Sequence, residues 1–469
     1  MGSPTIESTT TSTTTPDAPT TLAQPAPKRL GFVDALGLWG NLGISLLLPV
    51  AAAYVVLPGD PFGPTLLAII TGAVIGSLLL GLGAAAGARE GVPAMVLLRG
   101  LLGRRLSYLP TALNIVQCIG WATFEIVIIS QAAATVLDVP AWPFILGAGA
   151  LATLMALRPL GSVRVLARYA VWVALAGVVY LFVRVLSQPL PDFADGGGNT
   201  FWTAVDVVIS LPVSWFPLAA DYTRHVRSGR SAFAGASIGY GLATIVFFTL
   251  GALALAAYTA AGLDVIDALL AVPLGTAALL VLIFVEVDEA FANIYSTAMS
   301  AQNVTPRVDR RILALAVGAV ATTLAFTFDI VGYEAFLLLI GAVFVPLVGV
   351  FAVAYYVMPR LVRSSASWDT SARAAARPEL LLPWAAGFVA FQLVSPTLLP
   401  GPAEAWTTWW TQRQADLGLA PGAFSGSLTS LAVAAVLTVV ISLPRLLLQR
   451  RSRATDATAQ TRADQEATA

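Results

Sequence analysis

The chain has 469 residues, of which 57% are hydrophobic and 11% are charged. Soluble globular domains carry about 25% charged residues, so this composition excludes an ordinary soluble protein and indicates a polytopic membrane protein. The 26 basic and 26 acidic residues balance, and the basic ones are spread along the chain rather than gathered in one patch, which excludes nucleic-acid binding. The single cysteine, Cys118, excludes an intrachain disulfide and a Cys-rich metal site.

Twelve apolar runs follow one another along the chain, each long enough to cross about 30 Å of hydrocarbon. They predict transmembrane helices, which we number as spans 1 to 12. Spans 1 to 6 cover residues 34–57, 64–86, 108–136, 141–157, 169–187 and 201–222. Spans 7 to 12 cover residues 233–258, 276–302, 311–328, 332–358, 379–399 and 426–445. Residues 1–30 and 446–469 have no comparable apolar run and are predicted to be disordered tails.

Basic residues fall in alternate loops between the predicted spans. Of the 26 lysines and arginines, only Arg184 and Arg413 lie near the opposite face. Lysine and arginine are retained on the cytoplasmic side during membrane insertion. The pattern therefore predicts a multi-pass protein of the plasma (inner) membrane with both tails in the cytoplasm.

The first ten spans divide into two groups of five. If spans 1 to 5 (residues 31–187) form one unit and spans 6 to 10 (residues 201–358) repeat it, the odd number of crossings makes the second unit inverted. Spans 11 and 12 (residues 379–445) then lie outside a ten-helix core formed by residues 31–358. The predicted fold class is an all-α integral membrane protein with twelve transmembrane helices, arranged as a five-plus-five inverted repeat plus two extra helices.

The first helix of each proposed repeat contains helix-breaking residues. Span 1 carries Gly40, Gly43 and Pro49, and span 6 carries Pro212 and Pro217. Proline removes a backbone donor and glycine loosens a helix, so both spans are predicted to be unwound near the middle of the membrane. Helices broken at corresponding positions are typical of secondary transporters, in which the exposed backbone groups bind substrate and ion.

Span 3 carries a polar stripe. Asn114, Gln117, Trp121 and Glu125 fall within about 80° of one another on a helix, which indicates a face turned into the helix bundle. Trp121 would stack on a flat heterocycle, and the Glu125 carboxylate would accept hydrogen bonds from its ring N–H or amino groups. Hydrogen bonding between helices, without a ligand, is the alternative.

Span 8 contains three carboxylates in an otherwise apolar run. An acidic side chain at the bilayer centre costs about 3 kcal/mol or more, and such residues usually face the protein interior or a hydrated cavity. Glu286, Glu289 and Asn293 share one side of the helix, while Asp288 lies on another. Asn293 both donates and accepts, which suits the edge of a nucleobase. Asp288 could bind Na⁺ together with span 1 carbonyls, or take up a coupling proton; a structural role for each acid is the alternative.

Three segments carry a resemblance to a known family. Ser214-Trp-Phe-Pro-Leu-Ala-Ala-Asp-Tyr-Thr-Arg224 resembles the Trp-x-x-Tyr-Ala-Ala-Asp-Tyr-Thr segment of the purine-cytosine permease (cytosine permease) branch of the nucleobase cation symporter family. Phe-Ala-Asn-Ile-Tyr-Ser296 is similar to the Asn-x-Tyr-Ser segment of that family, and Trp121-x-x-x-Glu125 is similar to its Trp-x-x-x-Gln pair. The resemblance covers spans 1 to 10.

This resemblance implies a LeuT-type fold and a secondary active transporter that imports a nucleobase or related heterocycle, of the cytosine, purine or hydroxymethylpyrimidine class, by alternating access. The substrate would lie between spans 1, 3, 6 and 8, with Trp121 and Trp215 on its faces and Glu125 and Asn293 at its edge. In some bacterial relatives the second aromatic residue lies farther from the Asp of this motif, at a position that corresponds to Pro212. The candidate substrate-binding set is completed by a span 1 hydroxyl, a span 3 amide and a span 8 acid: Ser45, Gln117 and Glu289.

The same resemblance implies a cation site made by span 1 carbonyls and span 8 side chains. The candidate coupling residues are Gly43, Asp288 and Glu289, with Na⁺ at Asp288 as the possible metal site and no other metal or cofactor. Acids in place of the neutral hydroxyl ligands of the family favour H⁺ over Na⁺. Asp221 is interpreted as a gate or helix-end anchor, and His225 is expected to be an exposed loop residue.

Two alternatives to this function are weighed. One is an amino-acid or amine symporter of the same fold, in which the unwound span 1 would bind a carboxylate through backbone N–H groups. The other is a membrane-embedded enzyme, which the sequence supports poorly because it shows no nucleophile–base pair within the spans. The expected partners are the nucleobase-like substrate and the lipid bilayer, and the oligomeric state is left open, with a monomer possible.

Overall fold

The structure is a computed structural model that describes residues 26–57, 62–159, 171–187, 199–258, 265–328, 332–362, 376–399 and 403–444. Within these ranges the regular structure is helical, apart from one isolated parallel bridge between Leu30 and Val226. The first nine helices in chain order are α1 (Phe32–Asn41), α2 (Leu47–Ala51), α3 (Phe62–Glu90), α4 (Ala94–Leu102), α5 (Tyr108–Leu137), α6 (Trp142–Leu157), α7 (Val171–Leu186), α8 (Phe201–Ser214) and α9 (Ala219–Thr223). They are followed by α10 (Gly229–Tyr258), α11 (Val265–Ala271), α12 (Gly275–Val304), α13 (Arg310–Leu324), α14 (Tyr333–Ala352), α15 (Leu381–Val394), α16 (Glu404–Asp416) and α17 (Gly426–Pro444).

Each predicted span coincides with one helix or with a pair of half-helices. Spans 1 and 6 are the pairs α1–α2 and α8–α9; the other spans, in order, are α3, α5, α6, α7, α10, α12, α13, α14, α15 and α17. By length and composition, six described segments could cross a membrane unaided: Phe62–Glu90, Tyr108–Leu137, Phe201–Thr223, Gly229–Ala257, Tyr333–Val357 and Gly426–Pro444.

Both predicted breaks are present. The first helix ends at Asn41 and resumes at Leu47, and the second ends at Ser214 and resumes at Ala219 after a short 3₁₀ turn that contains Pro217. The proline positions explain the second break, because a proline inside a helix lacks the N–H that would bond the preceding turn.

The packing of the helices repeats after five spans. One group consists of α1, α3, α8 and α10, and a second consists of α5, α6, α12 and α13. In the first group, α1 packs against α10 as α8 packs against α3; in the second, α5 packs against α6 as α12 packs against α13. In span numbers, the contact of 1 with 7 corresponds to that of 6 with 2, and the contact of 3 with 4 corresponds to that of 8 with 9. Each contact becomes its counterpart when every span is replaced by the one five positions away, as a five-plus-five repeat requires.

The break in the first span lies directly against α10. A Cβ atom added to Gly43 would be 2.5 Å from the Cβ of Ala243, so only glycine allows this separation without a shift. The close approach fixes the unwound segment to the same group of helices as α10.

Three helices were not predicted from the sequence. They are α4, which lies between α3 and α5 and is buried along its whole length, and the connecting helices α11 and α16. They are too short to span a bilayer, so a search for apolar runs of spanning length does not find them.

The end of the predicted N-terminal tail is attached to the bundle. The backbone N–H groups of Arg29 and Leu30 donate to the His225 carbonyl at 2.9 and 3.0 Å, and the Arg227 N–H donates to the Leu30 carbonyl at 2.9 Å. His225 is 3% exposed and its Nδ1 lies 3.2 Å from the Pro27 carbonyl, so the expectation of an exposed loop residue is wrong. The rest of the predicted N-terminal tail, before residue 26, and the predicted C-terminal tail lie outside the described residues.

Candidate functional site

A small cavity lies where the second broken span meets α5, α10 and α12. It contains about 230 Å³ of space between atoms, part of it open, and has room for about one water molecule. We call this contracted state of the cavity occluded. Its wall is formed by Trp121, Leu211, Ser214, Trp215, Tyr240, Glu289 and Asn293, which we call the site cavity.

The two tryptophans of the site cavity are held by other aromatic rings. Trp121 packs edge-on against Tyr333 and Phe336, with ring centroids 5.9 and 5.2 Å apart. The indole N–H of Trp215 donates to the Tyr240 hydroxyl at 2.9 Å, while the indole N–H of Trp121 is buried and has no acceptor among the described residues. Trp121 thus retains a free donor within the site.

Three carboxyl groups meet beside the cavity. The Glu125 carboxyl lies beside those of Glu286 and Glu289, and neither of its oxygens receives a donor from the described residues. Glu286 is also bonded to the first span: its oxygens accept from the Ser45 hydroxyl at 2.8 Å and from the Leu46 backbone N–H at 2.6 Å. In the unwound segment the Glu286 carboxylate of α12 therefore accepts from the Leu46 N–H, in place of the backbone carbonyl that would accept it in a continuous helix.

Asp288 points to a different part of the first span. Its carboxylate accepts from the amide of Asn41, the last residue of α1. One oxygen of each partner, Oδ1 of Asn41 and Oδ1 of Asp288, is buried without a donor among the described residues. Gly43, the other coupling candidate, follows Asn41 by two residues in the unwound segment, where it lies against Ala243 of α10.

Gln117 connects α5 to the end of α8. Its amide donates to the Asn114 side chain at 2.8 Å and to the Ser214 carbonyl at 2.9 Å. Asn114 in turn donates to the Ser300 hydroxyl of α12 at 2.8 Å. The polar stripe of span 3 therefore faces the bundle, and its first two residues, Asn114 and Gln117, form hydrogen bonds between helices.

The acidic side chains of the site have no basic partner. Glu125, Glu286, Asp288 and Glu289 are at most 4% exposed, and the described residues place no salt bridge on any of them. Burying an unpaired ion costs several kcal/mol even after the protein relaxes, and adjacent carboxylates repel one another. The occluded site thus has to be compensated by bound cations, whether protons or metal ions.

A second layer closes the bundle at the end of α9; we call Asp221, Tyr222 and Arg224 the closing layer. Asp221 accepts from the Ala94 backbone N–H at 2.9 Å and so caps the start of α4. The Tyr222 hydroxyl donates to the Ala292 carbonyl at 2.8 Å, and the Arg224 guanidinium donates to the Tyr295 hydroxyl at 3.2 Å. The Tyr222 and Arg224 bonds tie the end of α9 to α12, and the Asp221 bond ties it to α4, as the interpretation of Asp221 as a helix-end anchor expects.

Residues 31–373 match the sequence model of a family described as permeases for cytosine/purines, uracil, thiamine and allantoin. The chain belongs to this family. It is a multi-pass membrane permease, and the prediction of a nucleobase cation symporter that works by alternating access is confirmed at the level of the family. No curated protein matches the sequence significantly.

Solved structures share the fold. Mhp1, a nucleobase-cation-symport-1 family transporter in a closed conformation with bromovinylhydantoin bound, is 17% identical, with a TM-score of 0.70 over 91% of this chain and 95% of that one. An inward-facing conformation of Mhp1 gives 17% identity and a TM-score of 0.69 over 92% and 94% of the two chains. A manganese transporter from Eremococcus coleocola is 14% identical, with a TM-score of 0.53 over 90% and 98%. The predicted LeuT-type fold class is confirmed.

The structure brings most of the predicted site residues together. Trp121, Trp215, Glu289 and Asn293 line the site cavity. Glu125 lies beside Glu289, Ser45 donates to Glu286 of the same carboxyl cluster, and Gln117 donates to the carbonyl of Ser214 in the cavity wall. Sequence reasoning missed Asn41, Leu211, Ser214 and Tyr240. Asn41 lies directly before the predicted break of the first span, and that position could have indicated a role in the site; no such signal marks Tyr240, which is one of several polar residues of α10.

Proposed function

We propose that this permease imports a nucleobase-like heterocycle and couples its uptake to protons. The observation that carries the proposal is the convergence of Trp121, Trp215, Glu289 and Asn293 on one cavity, beside a cluster of carboxyl groups that has no basic partner among the described residues. The likeness to a transporter solved with a hydantoin bound supports a flat nitrogen heterocycle as the ligand class. In the occluded form the cavity is contracted, so it has to widen before the substrate binds.

The substrate-binding residues divide by chemistry. Trp121 stacks on one face of the ring, and Trp215, fixed by Tyr240, bounds the other side. Glu289 and Asn293 hydrogen-bond the ring edge, and Glu125 adds an acceptor for an amino group or ring N–H. Because a site that hydrogen-bonds polar edge groups discriminates strongly against analogues that lack them, these three side chains set the choice of base.

Coupling is assigned to the contact between the first span and α12. Asp288, with Asn41 and the unwound backbone near Gly43, takes up the proton, and its protonation removes one uncompensated charge from the contact. Glu286 and Glu289 share the remaining charge with Glu125 through hydrogen-bonded carboxyl pairs. Sodium at the two unpartnered oxygens of Asn41 and Asp288 is the alternative coupling ion.

The transport core consists of two repeats, residues 31–187 and 201–358, and residues 379–445 lie outside it. Movement of the core exposes the site alternately to the two sides of the membrane. Both termini lie in the cytoplasm of a plasma (inner) membrane, as the distribution of arginines indicates. In this orientation the closing layer is cytoplasmic, and its separation from α12 opens the site to the cell interior.

The geometry disfavours an amino-acid or amine symporter. Such a transporter would bind a substrate carboxylate at free backbone N–H groups of the first break. Here the Leu46 N–H donates to Glu286 at 2.6 Å and the Leu47 N–H donates to the Ser45 hydroxyl at 3.1 Å. The segment already holds a carboxylate of the protein, and a second one would meet four acidic side chains.

The test is uptake of labelled bases by proteoliposomes under imposed pH or Na⁺ gradients. We expect at least one base to accumulate under an inward proton gradient, and we expect Trp121→Ala to remove saturable uptake while Trp142→Ala, which changes an indole that is 57% exposed, does not. Failure to transport any heterocycle under either gradient contradicts the proposal.

The coupling residue is tested separately. Asp288→Asn keeps the size of the side chain but cannot take up a proton, so uptake should lose its dependence on the pH gradient. Asp138→Asn, at an exposed helix end, is the matched control. Full pH-gradient dependence in Asp288→Asn, or accumulation driven by Na⁺ alone, would refute proton coupling at this residue.

A further inference from the structure

An apolar groove runs along the outer face of the bundle, away from the site cavity. It lies between α5, α14 and α15 and contains about 900 Å³ of space, part of it open to the surroundings. Since α5 and α14 are membrane spans, the surroundings are lipid. The groove is lined by Leu109, Leu113, Leu339, Val343, Leu381, Trp384, Ala385 and Phe388.

The floor of the groove offers no polar group. Trp384 is 6% exposed, and its indole N–H donates to the Val343 carbonyl inside the protein at 2.8 Å. The one polar atom among the lining side chains is thereby satisfied. A ligand that lies in this groove gains apolar contact only, which suits an aliphatic chain and not a polar solute.

One end of the groove is basic. Leu109 is the second residue of α5 and follows the turn that holds Arg104 and Arg105, both of which are exposed. Leu381 begins α15, and the chain just before it is joined to the same turn, because the Arg377 N–H donates to the Leu102 carbonyl at 3.0 Å. The turn that carries Arg104 and Arg105 therefore lies at the end of the groove formed by Leu109 and Leu381.

We propose that this groove binds an acyl chain of an anionic phospholipid, whose phosphate is held by Arg104 and Arg105. The apolar groove and the basic end match the two chemically different parts of such a lipid. The lipid comes from the leaflet on the side of these arginines, which is the cytoplasmic leaflet in the proposed orientation. A second copy of the chain is a poorer occupant, because a helix with its side chains is about 10 Å across and would cover the groove without filling it.

The test measures lipid binding to the purified full-length protein by native mass spectrometry, with phosphatidylglycerol and phosphatidylcholine of identical acyl chains as probes. We expect tighter retention of phosphatidylglycerol, and a reduction on the order of tenfold in the double variant Arg104→Gln/Arg105→Gln. The matched control is Arg230→Gln/Arg311→Gln, which removes two exposed arginines elsewhere. Equal losses in both double variants would show only general attraction to anionic lipid and would overturn the site.

The groove itself is tested by filling it. Ala385→Trp should weaken binding of both lipids, whereas Ala150→Trp, at an exposed position on α6, should not. If Ala385→Trp prevents folding, Ala385→Leu makes a smaller change with the same expected direction. Unchanged lipid binding in a folded Ala385 variant, or a change in oligomeric state instead, would refute the lipid as occupant. Lipid binding is measured without transport, so its outcome is independent of the proposed substrate and coupling ion.

Discussion

Replacing Tyr222 with phenylalanine removes one hydroxyl from the closing layer and leaves the ring in place. In the occluded structure this hydroxyl donates to the Ala292 carbonyl at 2.8 Å. A neutral hydrogen bond contributes about 0.5–1.5 kcal/mol net to the state in which it forms. Its loss should favour separation of α9 from α12 by about 2- to 12-fold, since 1.4 kcal/mol corresponds to a factor of ten.

The single thiol of the chain reports this separation. Cys118 is 0% exposed and lies on α5 between Trp121 and Asn114, with its Sγ atom 3.6 Å from the Asn114 side chain. It is therefore placed between the site cavity and the closing layer. Because Cys118 is fully buried in this structure, opening of the layer should raise its rate of alkylation, and that rate is expected to increase with the open population.

Alkylation of Cys118 by N-ethylmaleimide, followed by intact mass measurement, gives that rate without any introduced cysteine. We expect the Tyr222→Phe variant to react about 2–12 times faster than the parent protein. Tyr180→Phe is the control, because the Tyr180 hydroxyl also donates to a backbone carbonyl, that of Pro273, but outside the closing layer. Equal rates in the parent protein and both variants would show that the Tyr222 bond does not hold the layer closed.

Three further predictions concern other contacts. Asp206→Ala removes a side chain that accepts three hydrogen bonds, at 2.5, 2.7 and 3.0 Å, at the start of α17, and should lower the free energy of unfolding by about 2 kcal/mol in detergent; an unchanged melting temperature would contradict this. Gly43→Ala should impair uptake, and adding Ala243→Gly should restore it, because the second change removes the Cβ atom that lies 2.5 Å away. Burial lowers the pKa of His225 to about 4, so attachment of the N-terminal segment should be complete above pH 6.5 and weaken by about 2 kcal/mol at pH 5; hydrogen exchange at the Arg29 amide should then depend on pH in the parent protein and not in His225→Gln.

The sequence was sufficient for the spans and their breaks because both depend on local chemistry. Apolar length decides whether a helix crosses the bilayer, and Pro212 and Pro217 favour a break between α8 and α9 because each lacks a backbone N–H. The inward stripe of span 3 was also predictable, since Asn114, Gln117 and Trp121 repeat at helical spacing.

Contacts between distant segments were not predictable in the same way. Nothing near Asn41 indicates that its partner is Asp288, because helix periodicity gives the face of a residue and not the helix that packs on it. The expectation for His225 failed for a related reason: the residues that bury it belong to the chain before the first span. Tyr240 holds Trp215 across two helices, and no local pattern reports such a pair.

Glu286 makes the secondary structure of one helix depend on the position of another. The Leu46 N–H in the first break is satisfied by a carboxylate 240 residues away, and not by a carbonyl of its own helix. If α12 moves relative to the first span, this amide has to find water, a substrate atom or the carbonyl one turn earlier. The number of helical residues in the first span should then change during each turnover, and an isotope label at the Leu46 amide would make that change visible in the infrared spectrum.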